Sequence, residues 1–293
     1  MVAAPSLTDA ARLASALPPL LMAAHRVAAT VMQGVHGRRR VGQGDAFWQF
    51  RQYRPGDAIN RIDWRQTAKS RAVYVRETEW EAAASVWLWR DGSASMDFTS
   101  DRNIASKKLR AEVLLLALAT LLIDAGERVA LLGGDRPSSG RAVPRRLMGA
   151  LADRALIGAD DSLPPKLPLP AHGHVVLIGD LLDPLHSIES VVRHYAAHGV
   201  RGHMLQVLDP AEEDLPYDGH VKFSGLEREG DHIIRKVEAV RTAYQARLIA
   251  QKEGLAHIAQ SVGWTWRAHR TDRSPETALL SLYMAMADTG RRS

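Results

Sequence analysis

From Ala84 onward the chain alternates short apolar runs with longer stretches whose apolar positions recur every three or four residues, the pattern of a parallel-sheet α/β domain. Ser85 to Arg90 (SVWLWR), Arg128 to Leu132, His174 to Gly179, Gly202 to Leu208 and Trp264 to Ala268 read as strands, with a further short strand around His220 to Phe223. Between them, helices are expected over Arg102 to Ala125, Arg145 to Ile157 and Ile188 to His198. The longest helical region follows, where Ile233, Val237, Val240, Tyr244 and Leu248 lie in one stripe and a bend is expected near Gly254. A closing helix, Pro275 to Ala287, has proline at its start.

The segment before Ala84 reads differently. Leu7 to Gln33 is rich in alanine and leucine and is interrupted by Pro18-Pro19, which predicts two short helices, because proline removes a helical hydrogen bond and crowds the preceding turn. Gly34 to Gly44 sets four glycines around Arg38, Arg39 and Arg40 and is expected as an exposed loop. Phe47 to Trp64 carries a turn at Arg54-Pro55-Gly56-Asp57, and Ala72 to Glu79 has β character. The expected division is an N-terminal extension over residues 1–81 and an α/β domain over 82–293.

Composition narrows the chemistry. The 293 residues contain no cysteine, so thiolate metal sites, disulfides and cysteine nucleophiles are excluded together, and any metal must be held by oxygen or imidazole. A net charge of +5 permits an acidic partner without demanding one. The longest apolar run, Val113 to Ile123, is far short of the roughly 18 to 20 residues of a membrane span, and Asp9 and Arg12 break any signal-peptide pattern, so the chain is read as cytoplasmic.

The sharpest local pattern is Asp91-Gly92-Ser93-Ala94-Ser95, directly after one predicted strand and before a long helix. In an open parallel sheet, ligands bind outside the carboxyl ends of strands where the strand order reverses. Mg²⁺ takes small, hard oxygen donors in a near-octahedral array. Two hydroxyls two residues apart can face one ion, and a second carboxylate is expected from another strand end. Asp180, directly after the strand His174 to Gly179, is so placed, with Asp183 just beyond.

At these residues the chain resembles the von Willebrand factor A fold, whose metal-ion-dependent adhesion site uses D-x-S-x-S, a later threonine and an aspartate after the fourth strand. Phe50 to Asp57, then Arg61-Ile62-Asp63-Trp64, Tyr74 to Glu77 and Asp91 to Met96 are similar to the bacterial family named domain of unknown function 58. The resemblance implies a doubly wound, mostly parallel sheet with helices on both faces, following a helical and β extension. It implies a metal site of Asp91, Ser93, Ser95 and Asp180 for Mg²⁺, or for Mn²⁺ or Ca²⁺. It also implies a protein partner of the MoxR-type AAA+ ATPase class in a chaperone-like assembly. One departure stands out. No threonine occurs between Thr120 and Thr242, so a third hydroxyl would come from Ser138, Ser139 or Ser162, or be replaced by water.

The function expected on these grounds is a non-enzymatic interaction or adaptor module. The alternatives are a metal-dependent hydrolase using Asp91 and Asp180, or a scaffold with a degenerate metal site. No phosphate-binding G-x-x-x-x-G-K-[ST] loop, no G-x-G-x-x-G after a strand and no G-x-S-x-G elbow is present, so the usual loops for nucleotide hydrolysis, dinucleotide redox and serine hydrolysis are missing. Arg51, Tyr53, Pro55, Gly56, Asp57, Arg61, Asp63 and Trp64 are read as a structural clamp, with an interaction surface as the alternative. His194 and His198 lie four apart, but HYAAH lacks the glutamate of H-E-x-x-H and is read as packing. Arg38 to Arg40 lack interleaved aromatics, so nucleic-acid binding is not expected.

Overall fold

The computed structural model describes residues 7–36, 47–54, 62–69, 72–78, 83–153, 162–224 and 231–290. By its contacts the chain forms two units, residues 1–32 with 84–293, and residues 33–83. The change of unit thus falls at 83/84, against an expected 81/82, and the first 32 residues group with the α/β unit.

Buried strands build the larger unit. Ser85–Arg90 (β3) and His174–Gly179 (β5) are apolar on both faces, as strands covered by helices on both sides must be. With Arg128–Leu131 (β4), Arg201–Leu208 (β6) and Thr265–Arg270 (β9) they form one all-parallel sheet of order β4-β3-β5-β6-β9. After β3 the chain crosses to β4 on one side, while β5, β6 and β9 add on the other, so the order reverses between β3 and β5. This is a doubly wound parallel sheet, and β3/β5 is its switch point.

Helices Lys107–Asp124 (α3), Val143–Ala152 (α4) and Pro275–Gly290 (α8) pack together, while Leu185–Ala197 (α5) packs on Val237–Ser261 (α7). The α5/α7 core joins Trp87, Trp89, Val175, Leu177 and Met204 of the sheet to Ile188, Val192, Tyr195, Leu255 and Ile258. Gly254 lets α7 approach closely, since a Cβ there would lie 2.3 Å from a Leu185 methyl. The stripe expected from Ile233 begins one element later: Ile233 belongs to Asp231–Ile234 (β8), which pairs with Val221–Ser224 (β7).

Helix Leu7–His36 (α1) runs through Pro18-Pro19, so the two expected short helices are one. Ala24, Val27, Ala28 and Val31 form a buried stripe of helical period, and such a stripe stabilises a helix that proline alone would interrupt. In the smaller unit, Phe47–Gln52 (β1) and Tyr74–Thr78 (β2) pair antiparallel, and Asp63 caps the short helix Trp64–Thr67 (α2), its carboxylate accepting from Gln66 N at 2.9 Å. Among the described residues no helix is long and apolar enough to cross a membrane.

The amino-terminal end of the sheet buries histidines. His174 and His203 stack at 5.8 Å, and His203 Nδ1 meets Thr265 Oγ1 at 2.8 Å. Burial pushes His203 down to about 3, with neighbouring His174 adding to the effect. The folded chain therefore keeps this imidazole neutral, whereas the unfolded chain protonates it near pH 6.5. The resulting stability is full above pH 6.5 and is lost as pH falls toward the folded value. His203→Gln removes that proton uptake. Its stability relative to the parent is expected to improve by about 1.4 kcal/mol per pH unit between pH 6.5 and 4. Denaturant unfolding of both proteins across that range measures the slope, and a pH-independent difference would contradict it.

Candidate functional site

The carboxyl ends of β3 and β5 lie side by side because Arg90 pairs with Ile178 in register and Asp91 N donates to Ile178 O at 2.9 Å. Gly179 makes room for the aspartate beside it: a Cβ there would fall 2.7 Å from Asp91 Cβ and 3.0 Å from its Oδ2. Asp91 then folds the following loop onto itself. Its Oδ1 accepts from Ser93 N at 2.9 Å and from the Ser93 hydroxyl at 2.5 Å. The chain enters a 3₁₀ turn at Ala94–Asp97, which brings Ser95 Oγ to 3.0 Å from Ser93 Oγ. Ser95 Oγ donates to Asp180 Oδ2 at 2.6 Å, so a continuous chain of contacts joins Asp91, Ser93, Ser95 and Asp180.

Asp180 is held from several directions. Leu182 N donates to its Oδ1 at 3.3 Å, and Gln206 Nε2 to its carbonyl at 2.8 Å. The next residue, Leu181, has φ of 51°, a left-handed conformation that is uncommon for a branched side chain. Arg90, buried beneath the loop, donates to the Asp91 carbonyl at 3.0 Å and pairs with Glu112 at 3.1 Å.

Three groups here went unrecognised in the sequence. Lys107, at the first turn of α3, is wholly buried, and its Nζ donates to Asp180 Oδ2 at 2.9 Å and to Glu212 Oε1 at 2.6 Å. Burial alone would lower this ammonium, but Asp180 and Glu212 outweigh it and hold its pKa above the ordinary lysine value. Glu212 belongs to Pro210–Asp214 (α6), where it and Asp209 form a capping box, Asp209 N donating to Glu212 Oε2 at 2.8 Å. Asp209, at the end of β6, also accepts from Ser100 N at 3.0 Å. Two signals were present: the D-P-A-E pattern of a capping box, and a lysine where the helix dipole disfavours a cation.

Mg²⁺ ligands at about 2.1 Å in octahedral array stand about 3.0 Å apart, the separation of the Ser93 and Ser95 hydroxyl oxygens. Asp91 Oδ2 is buried, and among the described residues no donor reaches it. Burial, followed by the charge of Asp180, pushes Asp91 up to about 7. The Lys107 ammonium is shared between Asp180 and Glu212, and the Asp91 carboxyl lies within reach of the Asp180 charge, so the site gathers more carboxyl groups than its one ammonium pairs, a set that a divalent cation can bind. The residues present therefore fit such an ion, with oxygen donors only. Among the described residues no group of three or more histidine and acidic side chains has metal-holding geometry, so the serine hydroxyls are essential to the fit.

The other sequence candidates lie elsewhere. Ser162 Oγ donates to Asp183 at 2.9 Å, and Ser138 Oγ accepts from Arg146, which engages two of the three serines considered as a third ligand. His198 Nδ1 sits 2.7 Å from the His194 carbonyl, a local contact within α5. Tyr53 N donates to Val73 O at 2.7 Å, and Trp64 is 64 % exposed. Arg38 to Arg40, Pro55, Gly56, Asp57 and Arg61 lie outside the described residues, as does the side chain of Arg51.

Comparison with known proteins places the chain. It is 26% identical over 286 residues to the uncharacterized protein Rv1480 of Mycobacterium tuberculosis H37Rv, covering 90% of this chain and 87% of that one. The uncharacterized protein Mb1516 of Mycobacterium bovis matches to the same extent. Among solved structures, the conserved hypothetical protein BatB from Bacteroides thetaiotaomicron superposes with a TM-score of 0.40 at 16% identity, over 70% of this chain and 100% of that one. An aerotolerance-related membrane protein from Bacteroides fragilis gives 0.42 at 18% identity over the same shares. The model of the family described as protein of unknown function DUF58 matches residues 49–254, and the chain belongs to that family.

Proposed function

We propose that this chain is a non-enzymatic, cytoplasmic protein-interaction or adaptor module whose switch-point site holds a divalent cation, Mg²⁺ first and Mn²⁺ or Ca²⁺ as alternatives. The observation that carries this reading is the pair of serine hydroxyls 3.0 Å apart beside a buried carboxylate oxygen of Asp91 that has no partner among the described residues. A bound ion with an open coordination position supplies a Lewis-acidic point that accepts a carboxylate oxygen from a partner. Ser93 and Ser95 contribute neutral oxygens, while Asp91 and Asp180 contribute charge and orient the hydroxyls through their hydrogen bonds. Gly179 and the Arg90–Glu112 pair fix the strand ends that carry these groups. The partner class, taken from the family resemblance, is a MoxR-type AAA+ ATPase.

Two assays separate this from hydrolysis. Fluorescence anisotropy with glutamate- and aspartate-bearing peptides is expected to report binding in Mg²⁺ that chelation reverses. Incubation with p-nitrophenyl phosphate and Mg²⁺ is expected to release no product above the Asp91→Ala control. Phosphoester turnover that Asp91→Ala abolishes would replace the adaptor reading with the hydrolase.

A further inference from the structure

We infer that Lys107 is a resident counterion that sets how tightly the switch-point site holds a divalent cation, sharing Asp180 with the ion and keeping Glu212 as its own anchor; this rests on the cation reading proposed above. Asp180 Oδ2 already serves two donors, the Ser95 hydroxyl at 2.6 Å and the Lys107 ammonium at 2.9 Å. Only the second carries a full charge. Lys107 is wholly buried, so water does not screen that charge from anything bound at Asp91, Ser93 and Ser95.

The ammonium also has a second carboxylate that does not depend on Asp180. Glu212 Oε1 lies 2.6 Å from Nζ, and Glu212 is fixed by Asp209 N at its Oε2 and by the Tyr244 hydroxyl, which donates to its carbonyl at 2.7 Å. When Asp180 serves an ion, Lys107 keeps its charge paired with Glu212. The site then works over a moderate range of affinity, neutral enough to stay folded without metal and still able to accept it. Lys107 lies at the amino end of α3, where the helix dipole opposes a cation, so its burial there is explained by its carboxylates and not by helix preference.

The test is calorimetric titration of MgCl₂ into the parent protein, Lys107→Met and Glu212→Gln. Lys107→Met removes the like charge and is expected to bind Mg²⁺ at least about tenfold more tightly. Glu212→Gln removes one negative charge and leaves Lys107 with Asp180 alone, so it is expected to bind at least about tenfold more weakly. A purely structural role for Lys107 would weaken binding in both. If Lys107→Met is unfolded without ion, its folding midpoint in MgCl₂ gives the same comparison through linkage. Failure to fold even in saturating MgCl₂ would overturn the inference, since the ion must be able to take over the lysine's charge. Binding by the parent with none tighter in Lys107→Met sinks this inference and leaves the cation site standing. Binding by no variant sinks both.

Discussion

Lys107→Met is expected to destabilise the metal-free protein by about 3–5 kcal/mol, the usual cost of removing one partner from a buried ion pair. The side chain is similar in length and fills the same volume, so packing changes little. What changes is charge: Asp180 and Glu212 lose the ammonium that bonds them at 2.9 and 2.6 Å. For a chain of this size the loss lowers the melting temperature by about 5–8 °C. Glu212→Gln added to Lys107→Met removes one of the two stranded carboxylates and is expected to recover part of the loss, a coupling that a double-mutant cycle reads directly. Thermal melts in chelator measure it. A melting temperature within about 2 °C of the parent would mean that the pair contributes almost nothing to the fold.

Gly202→Ala has an effect of similar size by a different route. Gly202 lies in the interior strand β6, and a Cβ there would meet the Trp264 ring at 2.1 Å. The neighbour is rigid: the indole is 6 % exposed and its Nε1 donates to Val200 O at 3.1 Å. Accommodating one methyl means moving the ring out of the core and breaking that hydrogen bond. Overpacking costs about 1–3 kcal/mol, and expulsion of a buried tryptophan about 3–5 kcal/mol. A loss of about 3 kcal/mol or more is therefore expected in denaturant unfolding, with an unchanged sheet signal in circular dichroism below the transition. Trp264→Leu, destabilising alone, is expected to absorb most of the Gly202→Ala cost in the double variant. Strictly additive losses would show that the two residues do not share the space.

How much of this was legible depended on the kind of signal. Ser85–Arg90 and His174–Gly179 have the same bounds in sequence and structure, because a doubly buried strand is a short apolar run with polar residues or glycine at its ends. The helix Lys107–Asp124 begins five residues later than the apolar periodicity suggested, since Ser106 accepts from Leu109 N and caps it there. Proline at 18 and 19 read as a break, yet the tertiary stripe from Ala24 to Val31 belongs to a continuous helix, and propensity yields to packing. Ile233 matched the helical spacing by coincidence and pairs with Lys222 instead.

The site divides in the same way. Asp91, Ser93, Ser95 and Asp180 could be named because they sit at strand ends, where topology alone brings them together. Lys107 and Glu212 reach the site across 105 residues of sequence, through a helix start and a capping box on different elements. No local spacing records such a meeting. The available hints were the D-P-A-E capping pattern and a lysine at the start of a largely apolar helix, whose charge must be answered wherever the helix is buried.

Calorimetric titration of Mg²⁺ and Mn²⁺ into the purified chain, with thermal melts in parallel and Asp91→Ala alongside, tests the central claim most directly. One ion is expected to bind the parent and raise its melting temperature in proportion to RT ln(1 + [L]/Kd), about 2.7 kcal/mol at one hundred times Kd, while Asp91→Ala shows neither heat nor shift. Absence of heat and of any shift in the parent up to millimolar ion would contradict the cation site, as would equal binding by Asp91→Ala.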